Sequence, residues 1–207
     1  MTILTRKFAL IIFLAAFILA CDSAPPPKAI SEVKPIETIA RAKFSSPSKE
    51  PGAVLREKNI QSVVGDELLQ PDGKKIKFGD LKGKVVLVDV WATFCGPCRE
   101  QAPKLAALNQ KYRDKGFIVV GLNIDEEQDR GLVKDFMQEV GINYTVAYAS
   151  QKVQRAFLDG TEDDSGLGAP IPQLFLISRE GKLVEHLIGS DPRHSMAQLE
   201  EAIAKQL

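Results

Sequence analysis

The run Lys84-Val85-Val86-Leu87-Val88-Asp89-Val90-Trp91, followed after three residues by Cys95-Gly96-Pro97-Cys98, constrains this 207-residue chain more than any other feature. An almost unbroken apolar, β-branched stretch bounded by Gly83 has the pattern of a strand buried on both faces. Such a strand needs helices packed on each side of its sheet. Pro97 suits the first turn of a helix, where its missing N–H costs nothing, and Leu105, Leu108 and Tyr112 then recur at helical spacing up to Gly116. Pro103 lies inside that helix and predicts a kink. Two sulfurs therefore stand where a buried strand meets a helix.

The rest of the chain extends this unit. A second buried strand is predicted over Phe117 to Ile124, and a helix from about Asp129 to Val140 with Gly141 as its stop. Strand, helix and strand in that order make a right-handed crossover between parallel strands. Tyr144 to Ala149 reads as a third strand and Gln151 to Leu158 as a short helix after Ser150. Gln173 to Ser178 and Lys182 to Ile188 read as strands joined by the turn Arg179-Glu180-Gly181, and Asp191-Pro192 as the cap and first residue of a final helix. Ahead of the central strand, Ser62 to Leu69 and Lys75 to Phe78 flank the turn signal Pro71-Asp72-Gly73 and predict a β-hairpin. The fold class is α/β, a mixed central sheet with helices on both faces and an added N-terminal hairpin.

Thiol-disulfide exchange needs two sulfurs within bonding reach, one an accessible thiolate and the other ready to resolve the mixed disulfide. Two intervening residues at a helix start meet that need. Cys95 at the helix N-terminus faces unpaired N–H groups and the positive end of the helix dipole, both of which favour the thiolate. Cys98, one turn further in, is expected to be more buried and to act second. A zinc site is the first alternative, but His186 and His194 lie about ninety residues away and no further cysteine follows at finger-like spacing. A static structural disulfide is the second, though a bridge closing so small a loop restrains the unfolded chain little. The two histidines read as surface or sheet residues rather than ligands.

The stretch Val88 to Cys98, with Pro103 five residues later, resembles the active site of the thioredoxin superfamily. Gly79-Asp80-Leu81-Lys82-Gly83-Lys84 and Val120-Gly121-Leu122-Asn123-Ile124-Asp125 narrow the resemblance to the extracytoplasmic TlpA/ResA-like thiol-disulfide oxidoreductases, over roughly residues 57 to 207. The resemblance implies a thioredoxin-like fold and a redox-active disulfide, Cys95-Cys98, with no other cofactor. It makes Cys95 the nucleophile, Cys98 the resolving thiol and Asp89 the acceptor of the Cys98 proton; burial would raise the pKa of such an acid toward neutrality. Gly96 and Pro97 support the pair. Trp91 is expected to flank the sulfurs and partly cover them, with a plain core role as the alternative. Ile171-Pro172 resembles the cis-proline segment that binds extended substrate backbone, with Pro170 leaving the register open and an ordinary trans proline as the alternative. Asp89 and Gln101 stand where many TlpA/ResA-like members are expected to carry Asn and Glu, so proton handling looks closer to that of ordinary thioredoxins.

The ends of the chain bear on location. Arg6 and Lys7 precede Phe8 to Ala20, an uncharged run too short for the about 20 residues of a spanning helix and laid out like an export signal. Ile18-Leu19-Ala20-Cys21 resembles the bacterial lipoprotein box, which makes Cys21 the lipidated residue; an uncleaved signal anchor is the alternative. Residues 1–20 are then a signal peptide, 21–56 a lipid anchor and proline-rich tether with Pro25-Pro26-Pro27, and 57–207 the working domain on the periplasmic side of a membrane. Basic and acidic residues balance at 27 each, so no bulk positive field exists to hold nucleic acid.

The Gly-Pro dipeptide resembles that of thioredoxins, reductants near about −270 mV, against about −120 mV for the DsbA type. The expected function is reduction of disulfides in exported proteins, apocytochrome c among them, with electrons from a membrane donor. A disulfide donor and a peroxiredoxin-like antioxidant are the alternatives on the same scaffold, although Val88 and Ala92 stand where the peroxidase Pro and Thr would be. A copper-binding chaperone is the alternative from another class. The acidic, glycine-rich stretch Asp159 to Ala169 is expected to border the substrate groove, either selecting basic partners or merely solvated.

Overall fold

The computed structural model describes residues 51–161, 168–188 and 195–207. The export segment, Cys21, nearly all of the tether, most of the acidic stretch, Asp191-Pro192 and His194 lie outside the described residues.

Five strands form one mixed sheet in the order β5-β4-β3-β6-β7. The central strand β3 (Val85–Trp91) pairs in parallel with β4 (Phe117–Asn123), which pairs in parallel with β5 (Thr145–Tyr148). On its other side β3 meets β6 (Gln173–Ile177) antiparallel, and β6 meets β7 (Leu183–Ile188) antiparallel. Every residue of β3 is buried, as its uninterrupted apolar pattern requires.

Alternation along the strands divides the core into two layers. Val85, Leu87 and Trp91 pack with Leu105 and Leu108 of α2 (Gly96–Tyr112), Phe136 of α3 (Gly131–Val140) and Leu199 and Ile203 of α5 (Met196–Gln206). Val86, Val88 and Val90 pack with Val153 and Phe157 of α4 (Gln151–Leu158) and with Ile60 of α1 (Pro51–Gln61). Each large aliphatic or aromatic side chain so buried contributes about 1.5–3 kcal/mol. The crossovers β3-α2-β4 and β4-α3-β5 both move outward across the sheet, which puts α2 and α3 on one face; α1 and α4 cover the other.

Three boundaries differ from the sequence reading. Helix α1 begins at Pro51, within the stretch read as tether; proline suits a first helical turn, and no further proline interrupts the path to the buried Ile60. The hairpin is reduced to β1 (Leu68–Leu69) and β2 (Lys75–Ile76); Gly73 closes the turn with its N–H on Gln70 and a φ of 86°. Residues 62–65 instead form turns at the end of α1, and residues 78–81 a 3₁₀ turn. Helix α5 is capped by Ser195, not Asp191. The Ser195 hydroxyl accepts from the Gln198 N–H while the Gln198 side chain accepts from the Ser195 N–H, and this reciprocal pair satisfies two donors at the helix start.

Candidate active site

Beyond β3 the chain must turn sharply into α2, and buried polar groups hold that turn. The Ile124 N–H donates to the Trp91 carbonyl at 3.0 Å, and the Thr93 N–H donates to both oxygens of the Asp125 carboxylate at 3.2 and 3.0 Å. Asn123 in turn donates to Asp125 at 2.7 Å. Asp125 is thus the post to which the loop ahead of the cysteines is tied, a role its sequence position did not reveal.

Cys95 is the N-cap of α2, and Pro97 occupies its first turn. The sulfurs of Cys95 and Cys98 are bonded at 2.01 Å, and the Cys98 backbone N–H donates to Cys95 Sγ at 3.1 Å. Amides at a helix N-terminus, like this one, stabilise negative charge on a sulfur. Gly96 and Pro97 are exposed while both cysteines are largely buried, Cys98 slightly more than Cys95. Phe94, immediately before Cys95, is 78% exposed in a chain with few large exposed apolar groups among the described residues. Helix α2 runs on through Pro103.

Facing the pair, the Ile171-Pro172 peptide bond is cis, which fixes the register between Pro170 and Pro172. The Ile171 carbonyl oxygen lies 3.7 Å from Cys95 Sγ, and β6 begins at the next residue after Pro172.

Asp89 lies below the pair, fully buried on the face of β3 that α2 covers. Gln101, one turn beyond Cys98, donates to its Oδ1 at 3.5 Å, and the Tyr144 hydroxyl donates to its Oδ2 at 3.3 Å. Burial pushes the Asp89 pKa up to about 7, while the hydrogen bonds from Tyr144 and Gln101 pull it back down. Burial likewise raises Tyr144, with the neighbouring Asp89 charge adding to the effect. At 3% exposure, Asp89 does not reach solvent at the strand end.

Tyr144 arrives from the start of β5, two strands away, and Gly121 of β4 makes this possible. Gly121 sits opposite Asp89 in register, and a Cβ there would stand 2.8 Å from Trp91 Nε1 and 3.2 Å from the Tyr144 ring. The missing side chain is the space the phenol crosses. Sequence reading placed Tyr144 at a strand start and Gln101 as a departure from relatives, and joined neither to Asp89.

Trp91 shares a buried cluster with the two cysteines. It is 1% exposed and stacks on Phe136 with ring centroids 4.7 Å apart, and the Arg99 guanidinium lies 4.8 Å over that Phe136 ring. Its parity along β3 puts the indole under α2 and α3, so it is a core aromatic packed in the same layer as the two cysteines. His186 lies on β7, away from any ligand set; among the described residues no group of three or more His, Cys, Asp or Glu side chains could hold a metal ion. No described helix is long and apolar enough to cross a membrane.

The Redoxin family pattern matches residues 55–204. The thiol-disulfide oxidoreductase ResA of Bacillus thuringiensis (strain Al Hakam) is 36% identical over 126 residues, 60% of this chain and 66% of the relative. The ResA of Bacillus thuringiensis subsp. konkukian (strain 97-27) is 33% identical over 135 residues, 65% of this chain and 70% of the relative. The chain thus spans about two thirds of these relatives, slightly less for the first. Among solved structures, a thiol:disulfide interchange protein of the thioredoxin family from Chlorobium tepidum TLS superposes with a TM-score of 0.56 at 29% identity, over 68% of this chain and 91% of that one. The matched span covers the whole sheet and the cysteine pair, and the chain belongs to the Redoxin family, as a ResA-like member of the thioredoxin superfamily.

Proposed function

We propose that this chain is an extracytoplasmic thiol-disulfide oxidoreductase, held to a membrane through a lipid on Cys21, that reduces disulfides of exported proteins and is recharged by a membrane electron donor. One observation carries the reaction: Cys95 and Cys98 form a bonded pair at the N-terminus of α2, with the Ile171 carbonyl 3.7 Å from the outer sulfur. The names of the relatives support the same reaction class.

In the reducing direction the Cys95 thiolate attacks one sulfur of a substrate disulfide, forming a mixed disulfide and releasing the other substrate sulfur as a thiolate. Substrate backbone lies along Ile171 and Pro172, which aligns its sulfur with Cys95. Cys98 then gives its proton to the Asp89 carboxylate and attacks Cys95 Sγ. The Cys95-Cys98 bond forms, the mixed disulfide breaks, and two electrons have passed to the substrate. An acid titrating near 7 is matched to such a transfer at neutral pH. The Gly96-Pro97 dipeptide favours reduction, and apocytochrome c is the substrate we name first. The chain's balanced charge speaks against a nucleic-acid partner.

Insulin reduction by the dithiol-treated protein tests the reading. C95S should fall to the uncatalysed rate, and C98S should accumulate a mixed disulfide that gel analysis resolves. Exchange surviving in C95S would end the proposal. A reduction potential near about −270 mV supports the reductant, whereas one near about −120 mV assigns the chain to disulfide donation.

A further inference from the structure

The segment that faces Cys95 is held from behind by a chain of hydrogen bonds whose direction the chemistry dictates. Strands β6 and β7 pair with Phe175 opposite His186 and Gln173 opposite Ile188, so Gln173 and His186 are diagonal neighbours on one face of the sheet. The His186 ring stacks on Phe175 with centroids 4.4 Å apart. Its Nε2 lies 2.7 Å from Gln173 Oε1, and its Nδ1 lies 2.5 Å from the guanidinium of Arg56 on α1. A guanidinium only donates, so Nδ1 accepts and the ring proton resides on Nε2, where it donates to Gln173 Oε1. That orients the Gln173 amide, whose Nε2 donates to the Pro170 carbonyl at 2.8 Å and to Thr161 Oγ1 at 2.9 Å. The Thr161 hydroxyl donates in turn to the Leu158 carbonyl. Every link has one donor and one acceptor, and none can be reversed without reversing Arg56.

Gln173 is entirely buried. A satisfied polar chain in such a place adds little net stability over an apolar replacement, but it admits a single geometry. Its inner end grips the carbonyl of Pro170, and the next carbonyl, that of Ile171, is the one beside Cys95 Sγ. We propose that Arg56, His186 and Gln173 form a positioning chain that sets the Pro170–Pro172 segment for extended disulfide-bearing polypeptide, with His186 as a specificity-determining positioning residue remote from the sulfurs. This rests on the reading of Ile171 and Pro172 as the substrate-backbone segment. Polypeptide substrates need that segment in register; a small disulfide that reaches only the sulfur does not.

The test compares insulin with the small disulfide DTNB as substrates of the full chain, with melting temperatures for each variant. H186F keeps an aromatic ring against Phe175 and removes both ring hydrogen bonds. It should raise KM for insulin about fivefold with kcat little changed and DTNB turnover intact, the effect expected for losing about one hydrogen bond's worth of positioning. R56M opens the chain from its outer end, losing the bond to His186 and a longer one to the Gly160 carbonyl, and should reproduce the rise. H186Q, which can accept from Arg56 and donate to Gln173, should restore KM to within about twofold. Unchanged insulin KM in both H186F and R56M, or equal losses on insulin and DTNB with a lowered melting temperature, overturns the proposal. If the native protein turns over neither substrate, the thiol-exchange reading fails and this inference with it.

Discussion

A carboxyl group in the middle of a buried strand keeps its proton as far as its neighbours allow, and among the described residues the groups that act on Asp89 are two hydrogen-bond donors, Tyr144 and Gln101. Burial lifts it to about 7; Tyr144 and Gln101 favour the charged form and hold it from rising further. Asp89 inside the apolar run of β3 was legible in the sequence as an anomaly, since a charged group in such a run conflicts with its surroundings. Its partners were not, because Tyr144 is 55 positions away. Y144F removes a donor that stabilises the carboxylate, so the Asp89 pKa should move upward, by about half a unit for so long a bond. The pH dependence of the resolving step, followed by stopped-flow fluorescence, should shift its inflection up by that amount. A downward shift would contradict the arrangement.

Strand β4 shows how an element can serve a site through an atom it lacks. Gly121 leaves room for the Trp91 indole and the Tyr144 phenol, and a Cβ in its place would meet both rings and, at 3.4 Å, Val146. Both rings are buried and packed, so neither can retreat cheaply. G121A should destabilise the fold by about 1–3 kcal/mol in chemical denaturation and disturb the Tyr144 contact with Asp89. A native midpoint with a native pH profile would show that the space is unused. The strands and helices were legible because each depends on periodicity within a dozen residues. Their ends were less so: Ser195 displaced Asp191 as the cap of α5 because a capping box is decided by how two side chains meet, not by which acid precedes a proline.

Across the fold, two buried acids make stability depend on pH in one direction. Burial raises Asp89 to about 7, and burial also raises Glu185 of β7 to about 7 against the pull of Lys205. Folded-state values above the unfolded ones mean that the folded chain holds protons which the unfolded chain releases, so these groups cost nothing below about pH 4, and stability falls as pH rises from there through about 7. D89N should stabilise the protein at pH 8 by up to roughly 4 kcal/mol, with the gain vanishing near pH 4, and E185Q should remove a separate part of the slope. Urea titrations across that range measure both; a D89N gain that is the same at pH 4 and pH 8 would sink the argument. The class of the fold, the place of the cysteine pair at a strand-to-helix junction and the oddity of Asp89 were written in short stretches of chain, because hydrophobic period and turn chemistry act between near neighbours. The phenol crossing above Gly121, the Thr93 amide tied to Asp125 and the path from Arg56 to Pro170 arose only on folding. Arg56 and His186 stand 130 positions apart, and which side chains meet over such a span depends on strand register and helix placement, which no local pattern encodes.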